Sequence, residues 1–200
     1  MIIRAQNSFL IIIDIQERLA PKISNQACLL KNTKTILQAA RHFHIPVMAT
    51  EHYAKGIGQT LPEIRSHLQQ DEILEKITFS LLREEPIRQR LVRYSKEHKT
   101  SAEQGIDFIL VGAEAHICVL QSAMDLLAAS QGKDAPLFPK GSRVILVRDA
   151  IGSRCEDSKQ AALERFAHLG GQNLTTEMLL FEWLERAGTD DFRALLPLIK

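Results

Sequence analysis

The chain has 200 residues, 45% hydrophobic and 24% charged, which is enough for one sizeable core and leaves little room for a second, so we read 1–200 as a single domain. Twenty-five Lys and Arg oppose 24 Asp and Glu, a formal net charge of +1 with no block of one sign; this argues against a nucleic-acid surface and for a small-molecule partner. The apolar run 9–13 is too short for a membrane span or the core of a secretory signal. Cys28, Cys118 and Cys155 form neither a paired framework nor a CxxC, so the expected setting is a reducing cytoplasm, with no disulfide scaffold and no zinc cluster.

In chain order, "FLIIID" is a continuous apolar run closed by Asp14, the pattern of a strand buried on both faces with polar chemistry at its carboxyl end. Residues Gln26 to Phe43 place Leu29, Leu30, Ile36, Leu37, Ala40 and Phe43 at helical intervals. "IPVMAT" (45–50) is a second strand, 54–82 is the least regular stretch, and "EILEKI" within it is a short strand or strand-like turn. A helix over Pro86 to His98 carries proline near its start. "IDFILVG" (106–112) is the next strand, followed by a helix after Ile117, a surface loop over 130–142 and the strand "RVILVRDA" (143–150). A helix from about Asp157 to Leu169 is opened by an Asp-x-x-Gln capping pattern and closed by Gly170 and Gly171. A last helix from near Thr176 to Gly188 precedes a short helical tail. Alternation of this kind predicts a parallel sheet with helices on both faces, and ligands in such sheets bind outside the carboxyl ends of the strands.

Two polar residues fall at that edge. Cys118, at the start of a helix after the small-residue turn Gly112-Ala113-Glu114-Ala115, is placed where unpaired N–H groups and the helix dipole lower a thiol pKa and where backbone donors can approach a developing oxyanion. By position alone it is equally a small buried hydrophobe. Asp14 is either a helix N-cap, with Gln16, Glu17 and Arg18 following, or a carboxylate held in a dry site, able to take a thiol proton and later activate water. Such a pair calls for a cation, and Lys76 in "EKITFSLL" is the candidate.

Together these pieces resemble the isochorismatase-like cysteine hydrolases, a family that includes nicotinamidases and N-carbamoyl amide hydrolases. The family's Asp-Lys-Cys triad maps onto Asp14 in "IIIDIQ", Lys76 in "KITFS" and Cys118 in "GAEAHICV". The resemblance runs from the first strand to "LTTEMLLFEWL", and "TEHYAKGIGQTLPEI" places the chain near the branch of isochorismatase-domain-containing proteins. It implies a three-layer α/β/α fold with a six-stranded, mainly parallel sheet. It also implies an oxyanion hole from the backbone N–H groups of Glu114 and Cys118, a cis peptide at Ala113-Glu114, and a homo-oligomer, dimer or tetramer.

Nicotinamidases of this family hold a metal through an Asp-x-His pair, whereas "ATEHYAKG" has Glu51 and His52 without that spacing; no metal and no cofactor are therefore expected. His42 and His44 are expected at the surface. The cysteine separates the chain from enzymes that cleave the vinyl ether of isochorismate, which needs an acid rather than a thiolate. The expected reaction is hydrolysis of a C–N bond in a small amide or carbamoyl compound through a thioester. Gln16, Glu51, His52, Tyr53 and His116 are candidates for substrate contact. Two other readings of the same residues stand beside this one: a redox or regulatory thiol protein, and an interaction protein that keeps the pocket without using it.

Overall fold

A computed structural model describes residues 2–97, 105–132 and 137–199. In chain order the elements are β1 (Ser8–Ile13), α1 (Gln26–His42), β2 (Val47–His52), the one-turn helices α2 (Ala54–Ile57) and α3 (Pro62–Arg65), β3 (Ile73–Lys76) and α4 (Glu85–Glu97). Then follow β4 (Asp107–Ala113), a π-helical turn (Ala115–Val119), α5 (Leu120–Gln131), β5 (Arg143–Gly152), α6 (Glu156–His168), β6 (Gln172–Leu174), α7 (Thr176–Leu184) and α8 (Asp190–Ile199). The six strands form one sheet in the order β3-β2-β1-β4-β5-β6, every neighbouring pair parallel. The expected three-layer fold is the one observed.

Strand alternation explains the layers. Leu10, Ile12, Val47, Ala49, Ile109, Val111, Ile145 and Val147 face one side, where they meet α1, α7 and α8. Phe9, Ile11, Ile13, Met48, Phe108, Leu110, Val144 and Leu146 face the other, against α4, α5 and α6. Because both faces are covered, β1 and β4 are apolar at nearly every position rather than at every second one. Each fully buried Ile or Leu contributes roughly 1.5–3 kcal/mol from burial. At the carboxyl end of this centre Gly112 takes φ +121°, and a Cβ there would lie 2.0 Å from the Ile13 carbonyl oxygen. Glycine thereby lets β4 close on β1 where Asp14 emerges.

Several boundaries differ from expectation for identifiable reasons. The capping pattern at Asp157 does not open α6: Cys155 is the N-cap without a side-chain bond, and Glu156 and Asp157 sit inside the first turn, where their charge complements the helix dipole. Helix α7 stops at Leu184 rather than Gly188, because Glu185 turns left-handed at φ 54°. The three-residue β6 escapes a periodicity reading, since only Leu174 of its residues is buried. Trp183 belongs to the core and donates to the Ser8 hydroxyl at 2.9 Å, whereas Phe181 is exposed. His98 and residues 133–136 of the expected 130–142 loop lie outside the described residues. Among the described residues no helix is long and apolar enough to cross a membrane.

Candidate active site

At the carboxyl edge of the sheet, β1, β3 and the turn after β4 bring three side chains to one point. Asp14 leaves β1 with φ 51°, a left-handed conformation that Asp tolerates better than most residues. Its Oδ2 lies 2.7 Å from Lys76 Nζ at the end of β3, with both side chains fully buried, and its Oδ1 accepts from the Thr50 hydroxyl at 2.7 Å. Lys76 Nζ also donates to the Thr78 carbonyl at 3.2 Å. Cys118, 6% exposed, holds its Sγ within 4.8 Å of an Asp14 carboxylate oxygen, and the charges of Asp14 and Lys76 both act on it.

The electrostatics of the thiol depart from expectation. Burial, followed by the negative charge of Asp14, pushes the Cys118 pKa up to about 12, with Lys76 opposing. The helix-terminus argument fails for two reasons. Cys118 sits in a π-helical turn whose Ile117 and Val119 N–H groups already donate to the Glu114 carbonyl, and a dry site penalises the thiolate more than one helix end favours it. At rest the Cys118 side chain is a neutral thiol.

Asp14 and Cys118 line a cavity of about 240 Å³ together with His52, Phe79, Glu114, Ile117 and Arg154, and Lys76 lies behind Asp14, outside the lining. A larger cleft of about 450 Å³ lies against α4 at the opposite, amino end of the strands; it holds neither Asp14 nor Cys118. His52 stacks obliquely on Phe79 with ring centroids 5.3 Å apart. Its pKa lies below the ordinary histidine value because of burial and the nearby Lys76 charge, so it is neutral near pH 7.

The other expected substrate contacts lie elsewhere. Gln16 is buried and uses its amide on backbone: Nε2 donates to the His52 and Gly58 carbonyls, and Oε1 accepts from the His52 N–H. Its role is to tie the exit of β1 to the end of β2. Glu51 is buried and accepts from the Thr60 N–H and from Arg65 at 2.8 Å. Tyr53 is exposed outside the cavity lining, and His116 Nδ1 lies 3.0 Å from the Ser153 hydroxyl, bracing the turn that carries Cys118. Of the five expected contacts, His52 alone lines the cavity. Arg18, Lys22, Ile57 and Arg154 were missed; each reads in the sequence as an ordinary loop residue. The Ala113–Glu114 peptide is cis, and His42 and His44 lie at the surface.

Donor atoms of Asp14, His52 and Cys118 lie within 4.8 Å of one another, a set that invites a metal. The Lys76 ammonium 2.7 Å from the Asp14 carboxylate holds the oxygen and the charge that a cation would need, so these residues fit an ion poorly.

The family model for the isochorismatase domain matches residues 8–178. The chain belongs to the isochorismatase family. Isochorismatase domain-containing protein 2 of Danio rerio is 30% identical over 194 residues, covering 97% of this chain and 87% of the relative. The secreted isochorismatase effector Isc1 of Phytophthora sojae is 29% identical over 197 residues, covering 97% and 85%. Among solved structures, the MAR1 ribonuclease of Caenorhabditis elegans superposes with a TM-score of 0.82 at 28% identity, covering 100% of this chain and 92% of that one. Isochorismatase-family membership and the observed sheet agree on a hydrolase fold.

One device around the site was not legible in the sequence. Glu84 Oε1 accepts from the Ile77 and Thr78 N–H groups, both at 2.8 Å, and from the Thr78 hydroxyl at 2.9 Å, fixing the loop whose Thr78 carbonyl receives Lys76. Those N–H groups hold the Glu84 pKa below its ordinary value. Glu84→Gln is expected to cost about 1 kcal/mol at neutral pH, a figure kept low because the carboxylate is half-exposed. A carboxyl with a depressed folded pKa stabilises above its unfolded value of about 4.3 and loses that contribution as pH falls through the folded value. Urea midpoints of the two proteins should therefore converge in acid; a constant gap would show that the carboxylate's charge plays no part.

Proposed function

We propose that the whole of 1–200 acts as one cysteine hydrolase domain that cleaves the C–N bond of a small amide or carbamoyl compound. The observation that supports this most is that Asp14 and Cys118 line one cavity while the buried Lys76 lies 2.7 Å from the Asp14 carboxylate. Because the thiol is neutral at rest, its proton leaves as the carbonyl is attacked. Asp14 accepts that proton while Cys118 Sγ forms the bond to carbon, and the carbonyl electrons move onto oxygen, where the backbone N–H groups of Glu114 and Cys118 receive the oxyanion. Collapse expels ammonia or an amine, protonated by Asp14, and leaves a thioester. Water, deprotonated by Asp14, then attacks the thioester and restores the thiol. Thr50 and Lys76 orient the carboxylate throughout.

Burial and a raised pKa speak against the redox-thiol reading, since sensor cysteines are exposed and of low pKa. The proposal includes a homo-oligomer and excludes nucleic-acid and membrane partners. The description of the Caenorhabditis elegans structure as a ribonuclease makes an RNA oligomer a necessary member of any substrate panel. The test is acid quench during turnover of a panel of small amides and ureas, followed by peptide mass spectrometry. The expected result is an acyl or carbamoyl adduct on Cys118 and an uncut RNA. Amide turnover with no adduct, or cleavage of the RNA, would overturn the reading.

A further inference from the structure

His52 is fixed at both its main chain and its ring. Gln16, fully buried, grips the main chain from two directions: Oε1 accepts from the His52 N–H at 2.8 Å, and Nε2 donates to the His52 carbonyl at 3.0 Å. Phe79 lies obliquely over the ring. Yet the buried Nδ1 has no hydrogen-bond partner among the described residues, and a buried ring nitrogen left unpaired costs free energy that a hydrogen-bonding partner recovers.

The distances suit one water. A ring nitrogen of His52, an Asp14 carboxylate oxygen and Cys118 Sγ all lie within 4.8 Å of one another. A water giving one hydrogen bond of about 2.8 Å to each of two acceptors, at its own near-tetrahedral angle, sets those acceptors about 4.6 Å apart. Attack on a carbonyl carbon carried by the sulfur starts from about 3 to 3.5 Å. We propose that His52 is a catalytic residue of the second half-reaction, holding the hydrolytic water by one hydrogen while Asp14 removes the other. This rests on the cysteine hydrolase reading. As the water oxygen bonds to the thioester carbon, its proton passes to Asp14; the C–S bond then breaks, the sulfur recovers that proton, and the remaining hydrogen leaves on the acid product. Only a neutral imidazole has a ring nitrogen able to accept. Burial, then Lys76, keep the ring neutral by lowering its pKa, against Asp14, the Thr78 backbone and Glu84; Arg18, Lys22, Glu114 and Arg154 are the other charged residues of the lining.

The second half-reaction can be isolated with an activated ester. With protein in excess, p-nitrophenyl acetate acetylates the thiol and releases p-nitrophenol; acid quench at intervals and peptide mass spectrometry then follow the loss of the acetyl group from Cys118. In the wild type that loss should slow as pH falls below about 6.5, where the ring gains a proton. In His52→Leu it should be about 10²-fold slower at neutral pH, with the acid limb gone. His52→Gln keeps an acceptor that does not titrate, so it should recover part of the rate and none of the limb. Loss as fast in His52→Leu as in the wild type, or a limb that survives in His52→Gln, would overturn the role. So would a wild-type rate that is flat with pH, a measurement that needs no variant to fold. An acetyl group on Cys118 in none of the three proteins would instead sink the hydrolase reading, and this role with it.

Discussion

Cys118→Ser should abolish amide turnover, by roughly 10⁴-fold or more, while the fold persists. Serine is nearly isosteric and keeps a group able to hydrogen-bond Asp14, so the melting temperature should change little, with stability within about 1 kcal/mol of the wild type. The loss of activity has a chemical origin. A hydroxyl is a far weaker acid than a thiol, and this site already raises the thiol to about 12; the same burial beside the same carboxylate would put an alkoxide out of reach of Asp14. The decisive comparison is kcat/KM on an amide that the wild type turns over, with circular dichroism to establish folding. Appreciable turnover by the serine protein would mean that Cys118 is not the nucleophile.

The second large effect is expected at the Asp14–Lys76 pair, where stability and reactivity separate. Both side chains are fully buried, 2.7 Å apart, and deleting one partner strands the other charge in a dry site. Lys76→Met should therefore cost about 3–5 kcal/mol, and combining it with Asp14→Asn should recover part of that loss because the double change leaves no unpaired charge. Thermal or urea unfolding of the two single variants and the double variant measures the coupling; strictly additive losses would show that the contact contributes nothing of its own.

Reactivity of the thiol should move in opposite directions in the two single variants. Asp14 raises the Cys118 pKa and Lys76 lowers it. In Asp14→Asn the thiol should titrate lower and react faster with iodoacetamide near about pH 8, even as amide turnover falls by about 10²–10⁴-fold with loss of the base. In Lys76→Met alkylation should slow. In the wild type the alkylation rate should keep rising with pH where a free thiol has already levelled off, at about pH 9 to 10. A wild-type plateau near the free-cysteine pKa would contradict the desolvation argument.

The site shows where sequence reading stops. Asp14 and Cys118 are legible because each interrupts a pattern: an acid closing five apolar residues, and a thiol opening a helix after a turn of small residues. Lys76 is visible as one lysine among many, and the family resemblance rather than its own surroundings singles it out. Gln16 and Glu51, expected at the substrate, do not line the cavity, because being near the site in sequence does not say which way an amide or carboxylate is turned; both face backbone and arginine partners. Arg18, Lys22 and Arg154 carry no local signal, since charged loop residues are expected at any surface.

Local pattern by itself therefore determined the alternation of buried strands and amphipathic helices, hence a parallel sheet with two covered faces and a reactive edge at the carboxyl ends, because side-chain periodicity of 2 and 3.6 is a property of neighbouring residues. Tertiary structure alone decided the chemistry at that edge. The order β3-β2-β1-β4 brings residues 14, 76 and 118 together across gaps of 62 and 42 positions, and only that convergence buries the pair and turns an expected low-pKa thiolate into a neutral thiol. Charge, burial and proton affinity depend on everything within a few ångströms, and a linear chain does not state which residues those are.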